Sequence, residues 1–195
     1  CYFLYREDTK DCVIVDPGDE AKRIKKFIED QELHPVAILL THGHFDHVMA
    51  VDSVRAAYHI PVYAAEAEKE TMQDASINLS INMGGAMLSV EADHWLKDGE
   101  TITLLDQEVR CILTPGHTVG GMCFYFPKAG MLFSGDTLFQ ESVGRTDFPG
   151  GSMSEIVRSI REKLFVLPDA VQVYPGHGLM TSIKNEKMFN PFAVE

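Results

Sequence analysis

Long apolar runs are missing from this sequence. No hydrophobic stretch approaches the roughly 18 residues needed to span a bilayer, and no basic-then-apolar leader with a small-residue cleavage site opens the chain. The expectation is a soluble, cytoplasmic protein without a membrane partner. Because the chain starts at Cys1 inside the strand-like Tyr2-Phe3-Leu4-Tyr5, a native N-terminus before Cys1 is left open. Basic clusters are scarce too: 17 Lys and Arg face 29 Asp and Glu, for a net charge of -12. The run Lys22-Arg23-Lys25-Lys26 falls on the polar face of a helix, so nucleic acid is not an expected partner. Cys1, Cys12, Cys111 and Cys123 show no C-x-x-C spacing. The last three lie in apolar, strand-like stretches and read as buried thiols of a reducing compartment. Linkers and low-complexity segments are also absent, so 195 residues with 45% hydrophobic content predict one domain, 1–195.

What is present is an order of short strands and helices. Tyr2 to Arg6 and Cys12 to Val15 read as two strands, with Asp16-Pro17-Gly18 closing the second. Ala21, Ile24, Phe27 and Ile28 recur at helical spacing, and Val36 to Leu40 is a fully apolar strand. One helix carrying Val48, Val51, Val54 and Tyr58 follows, then a strand at Ile60 to Tyr63 and a short helix near Glu66 to Gln73. Residues 74 to 91 read as a partly helical cover, a plain surface excursion or a dimer contact. Strands at His94 to Leu96, Thr101 to Leu104, Val109 to Leu113, Met122 to Phe126 and Met131 to Phe133 predict one meander. Ser152-Met153-Ser154-Glu155 is a capping box opening a helix with Ile156, Val157, Ile160, Leu164 and Phe165 on one stripe. Val171 to Tyr174 is expected as the last strand, before a short helix around Ile183 to Met188.

The chemistry is concentrated in His42-Gly43-His44-Phe45-Asp46-His47, which places four metal-binding side chains in one loop after a strand. His117, Asp136 and His177 each follow a later apolar strand, and each is preceded by glycine, which suits tight turns where backbone approaches a ligand cluster. Seven such groups at strand ends suffice for two metal ions and predict one cleft. His34, His59 and His94 have no such context and read as surface histidines. Thr118 and Thr137, beside ligands, read as hydrogen-bonding support. For Arg145 and Asp147 there are two readings: Arg145 meets a substrate carboxylate, or the pair pins its own loop.

These residues closely resemble the metallo-β-lactamase superfamily, whose signature is H-x-H-x-D-H followed by single His, Asp and His ligands. The resemblance extends to Asp16, usually described there as supporting the ligands. It implies an α/β fold, an αββα four-layer sandwich of mixed sheets with helices on both outer faces. It also implies a first metal on His42, His44 and His117, a second on Asp46, His47 and His177, and Asp136 bridging both. Cys or Ser in place of Asp136 would point toward true β-lactamases, and Glu in place of His44 toward flavodiiron proteins; neither is present. Gly144-Arg145-Thr146-Asp147-Phe148 looks like a segment of short glyoxalase II-like hydrolases and of persulfide dioxygenases, and Asn190-Pro191-Phe192 resembles the short hydrolases. The glutathione-holding helical domain of glyoxalase II proper, and the Tyr that follows its last His, have no counterpart here.

Two divalent ions lower the pKa of a shared water toward about 7 and polarise a carbonyl, a combination that hydrolyses acyl bonds. With Asp46, Asp136 and one hydroxide the site keeps a formal charge of about +1, which suits a small anionic thioester or other acyl substrate. Asp46 and Asp136 are the expected catalytic carboxylates and Arg145 the candidate substrate contact. Zinc is the expected metal, with iron or manganese compatible with the same donors. The alternative class is a mononuclear iron persulfide dioxygenase, which needs only His42, His44, His117 and Asp136.

Overall fold

Short apolar runs flanked by turn residues become strands, and these carry the loops described below. The computed structural model describes residues 1–193 and divides into two compact units, Cys1–Leu96 with Thr103–Asp106, and Lys97–Ile102 with the chain from Gln107 onward. In the first unit, β1 (Tyr2–Tyr5), β2 (Asp11–Val15), β3 (His34–Leu39), β4 (Val62–Ala65) and β5 (His94–Leu96) form a sheet in that order. β1 pairs antiparallel with β2, and β2 through β5 run parallel. The near-continuous apolar runs of β2 and β3 follow from this, because a parallel strand covered on both faces has no solvent side to alternate toward. Cys12, Ile14, Ile38 and Val62 belong to the core that α1 (Ala21–Asp30) joins through Ile24 and Ile28. Phe27, expected on the same stripe, is half-exposed and instead lies against the Phe3 ring, 4.7 Å between centroids.

The helix expected after the histidine loop is broken into α2 (Phe45–Val48) and α3 (Val51–Tyr58). The Asp16-Pro17-Gly18 turn accounts for the break. Ala50 N–H donates to Pro17 O at 3.0 Å rather than back along a helix, and Gly18 lies so close that a Cβ there would be 1.8 Å from Asp46 O. After a single 3₁₀ turn (Glu66–Glu68) and α4 (Lys69–Gln73), the segment 74–91 contains one wide helical turn, Ser80–Gly84. It is tied down by Asn78, which is fully buried: its amide donates to Leu88 O, its side-chain oxygen accepts from Ser80 N, and its own carbonyl accepts from Phe45 N. The segment therefore covers the start of α2.

In the second sheet β6 (Thr101–Leu104), which is divided between the two units, β7 (Gln107–Leu113), β8 (Met122–Phe126) and β9 (Met131–Gly135) form a meander. His94 to Leu96, expected in the same meander, is β5 of the other sheet, since it pairs parallel with β4, a partner that sequence spacing does not reveal. β12 (Gln172–Pro175) pairs parallel with β9, and β13 (Thr181–Ser182) lies beyond it, so the strand at 171–174 is not the last. Two further residue pairs, β10 (Leu138–Phe139) and β11 (Ser142–Val143), make a small hairpin. Elements of two residues have no period to read. α5 (Met153–Ser159) opens as expected on Ser152, whose Oγ accepts from Glu155 N at 3.3 Å. Only half of the box forms, because Ser152 N–H donates to Gly116 O at 2.8 Å and so fastens α5 to the loop of His117. α6 (Ile183–Phe189) closes the unit.

No helix among the described residues is long and apolar enough to cross a membrane. Cys12, Cys111 and Cys123 are buried and unbridged, and burial pushes their thiols up to about 12, 12 and 11. A thiolate is the reactive form, so at pH 8 a disulfide reagent should titrate Cys1 at once and the other three only after denaturation. Four fast-reacting thiols on the folded protein would contradict this burial.

Candidate metal centre

In the first unit β3 ends at Leu39 and delivers Thr41 to His47, a segment in which His42, His44 and His47 are all buried. Asp16 organises it from the turn after β2. Its Oδ1 accepts Thr41 N–H at 2.8 Å, and its Oδ2 accepts Thr41 Oγ1–H at 2.6 Å and His47 Nδ1–H at 2.9 Å. A carboxylate can only accept here, so the His47 proton is on Nδ1 and its basic lone pair on Nε2. The Thr41 hydroxyl has spent its hydrogen on Asp16, so at 3.2 Å it accepts from His42 Nδ1, which fixes the same tautomer. Asp46 Oδ2 stands 3.9 Å from His47 Nε2. Under the loop, buried Glu68 accepts Gly43 N–H at 3.0 Å, and a Cβ on Gly43 would meet Met72 at 2.7 Å.

The second unit repeats the device. His117 follows β7, Asp136 follows β9 and His177 follows β12. His117 Nδ1–H donates to Arg145 O at 2.7 Å, since a carbonyl has no proton to give, and Nε2 is again the basic nitrogen. Asp136 Oδ2 lies 3.6 Å from His117 Nε2 and 3.5 Å from His177 Nε2. Gly144 covers the Asp136 carbonyl so tightly that a Cβ would sit 1.8 Å from it, just as Gly18 covers Asp46. Gly116 and Gly135 have positive φ, at 136° and 49°, as tight turns require. Gly176 is not among the positive-φ glycines; Gly178 is, so that turn closes one residue after His177.

A divalent ion fits these donors. Two ligands on one tetrahedral ion at 2.0–2.1 Å are roughly 3.3 Å apart, close to the two separations around Asp136. Neutral imidazoles with Nδ1–H bound to oxygen and Nε2 presented are the form in which histidine binds metals. Arg145 shows the loop-pinning arrangement: Nε and Nη2 grip Asp147 at 2.7 Å each, and the guanidinium lies 3.8 Å from the Phe148 ring centroid. The fork pulls the Asp147 carboxyl down to about 2, so the pair stays charged at any neutral working pH. Thr137 Oγ1 meets Thr114 Oγ1 at 2.9 Å and thus joins two ligand loops rather than touching a ligand side chain. His34, His59 and His94 are exposed. Thr41, Glu68 and the Arg145 carbonyl were not singled out from sequence, where a lone Thr or Glu carries no signal and a carbonyl none at all.

Comparison with known proteins gives the family and the fold. The metallo-beta-lactamase superfamily profile matches residues 1–177. The probable metallo-hydrolase YqgX of Bacillus subtilis is 41% identical over 98% of this chain and 90% of its own length. Hydroxyacylglutathione hydrolase GloC of Haemophilus influenzae is 36% identical over 97% and 90%. Among solved structures, BLEG-1 B3 metallo-beta-lactamase superposes with a TM-score of 0.94 at 40% identity, covering 99% of this chain and 93% of its own. TTHA1623 in a di-iron-bound form gives 0.85 at 34%, covering 98% and 93%. The chain therefore belongs to the metallo-beta-lactamase superfamily, with its fold.

Proposed function

We propose that the chain is a single metallo-hydrolase domain that cleaves a small thioester with two divalent ions held by His42, His44, Asp46, His47, His117, Asp136 and His177. The observation that carries this reading is the complete donor set. All seven groups are present, and His42, His47 and His117 each have Nδ1–H bound by oxygen so that Nε2 is the ligand atom. When bound, the two ions supply a hydroxide at neutral pH and a Lewis acid for the acyl carbonyl. Zinc is the first choice for this His and carboxylate mixture. Iron is the second, as in the di-iron relative.

The residues of the chain divide the remaining work. Asp136, with 11% of its side chain exposed, is held against two imidazoles and acts as a fixed ligand. Asp46 is 40% exposed and can also orient a water or accept its proton on Oδ2. Arg145 acts through its carbonyl on His117, its guanidinium being held by Asp147. A thioester asks least of such a site. Its thiolate, with an ordinary pKa near 8.5, departs without a general acid, which an alkoxide or amine would need. The likeness to GloC supports an acyl-glutathione as the first substrate to try, and three buried thiols suit a reducing cytoplasm.

The test is a panel assay under anaerobic conditions with lactoylglutathione, a simple acyl thioester and a β-lactam, on metal-loaded protein. Thioester cleavage that stops on chelation and returns with metal is expected. Lactam cleavage alone, or oxygen uptake on glutathione persulfide without thioester cleavage, would replace this reading with a lactamase or with the persulfide dioxygenase.

A further inference from the structure

Glu186 on α6 is fully buried and lies nine residues past His177, outside the ligand set. Burying a carboxylate is unfavourable unless its lone pairs are satisfied. Here Oε1 accepts from Thr181 Oγ1 at 2.5 Å and Asn185 Nδ2 at 2.9 Å, and Oε2 accepts from Glu141 N at 2.8 Å and Asn190 Nδ2 at 2.9 Å. Asn190 Nδ2 also reaches Ser142 O at 3.0 Å. The first two donors belong to the neighbourhood of α6 itself. Glu141 and Ser142 do not: Glu141, held at φ 52°, lies in the turn of the β10–β11 hairpin, and Ser142 is the first residue of β11.

That hairpin is the piece of chain between Asp136 and Arg145. At its open end Gly144 covers the Asp136 carbonyl and Arg145 O holds His117 Nδ1 at 2.7 Å, while next to the turn the Phe139 ring meets His177 edge-on with centroids 6.3 Å apart. The hairpin therefore touches all three candidate ligands of the second unit along its length, and its turn end is gripped by Glu186 and Asn190. We infer that Glu186 is a positioning residue for His117, Asp136 and His177, acting through the hairpin. This rests on the reading of those three as metal ligands. Anchoring of α6 alone would not require the Glu141 N–H or the Ser142 carbonyl.

The test compares wild type, Glu186→Ala and Thr181→Val as metal-free full-length proteins titrated with cobalt(II) against a competing chelator, at a temperature where all are folded by circular dichroism. An alanine at 186 leaves the Glu141 N–H without its acceptor and so removes the hairpin grip, whereas a glutamine could keep it by turning its amide toward Thr181 and Asn185. Expected is cobalt affinity about 10–100-fold lower for Glu186→Ala, the scale of losing outer support for metal ligands, with a changed visible spectrum. Thr181→Val removes one Oε1 donor only and should melt earlier while keeping wild-type affinity and spectrum. Should Glu186→Ala fail to fold, Asn190→Ala, which frees Ser142 O, is expected to weaken cobalt binding in the same way. Wild-type affinity in the variant that tests the grip, or an equal loss in Thr181→Val, would overturn the inference alone. Wild-type protein that takes up no cobalt would overturn the functional reading with it.

Discussion

Asp136→Ala should leave less than one metal ion per chain and no metal-dependent turnover, in a protein that still folds. The carboxylate is the group that His117 and His177 both face, so its loss removes a donor from the place where the two imidazoles converge. It follows β9 and takes no part in the apolar cluster around Cys123, Leu132, Ile156 and Val173, so that core stays whole. Elemental analysis and circular dichroism on the same preparation check the result. Two tightly held ions in the variant would mean that Asp136 is not shared.

The second large effect is expected at Asp16, which touches no proposed substrate and is nonetheless the hub of the first ligand loop. Asp16→Asn keeps the size and tolerates the left-handed φ of 48° at that position. It cannot accept all three donors. An amide N–H must face Thr41 N–H, or the Thr41 hydroxyl and His47 Nδ1, and one buried donor goes unsatisfied at a cost of about 1–3 kcal/mol. Losing the negative charge also removes what fixes the His47 tautomer. Metal affinity should fall about 10–100-fold, and the metal-free protein should melt earlier. A chelator competition showing wild-type affinity would contradict the role given to this carboxylate.

The candidate ligands could be picked out from sequence because their types and spacing are local facts. His42 and His44 stand in the loop that the sequence predicts, Asp46 and His47 instead open α2, and each later candidate follows an apolar strand that the pattern also marks. The supporting contacts could not be. Thr41 matters because Asp16 takes its hydroxyl hydrogen, Glu68 because it lies beneath Gly43, and Arg145 because of its carbonyl, and each of these is a pairing over 25 or more residues of sequence. The same limit explains the fold-level misses. The helix over Val48 to Tyr58 has helical spacing throughout and still breaks, because Pro17 O competes for the Ala50 amide. β5 joins a distant sheet rather than the meander beside it. Local pattern reports what a segment can form, and tertiary partners decide where it stops.

The most direct measurement of the central claim is metal content against activity in the wild-type chain. Metal-free protein is titrated with zinc while bound metal and hydrolysis of lactoylglutathione are followed in the absence of oxygen. The seven-ligand reading predicts uptake of close to two ions per chain, with full thioester hydrolysis only as the second site fills. Saturation at one iron per chain, with oxygen consumption on glutathione persulfide and no thioester cleavage, would contradict it.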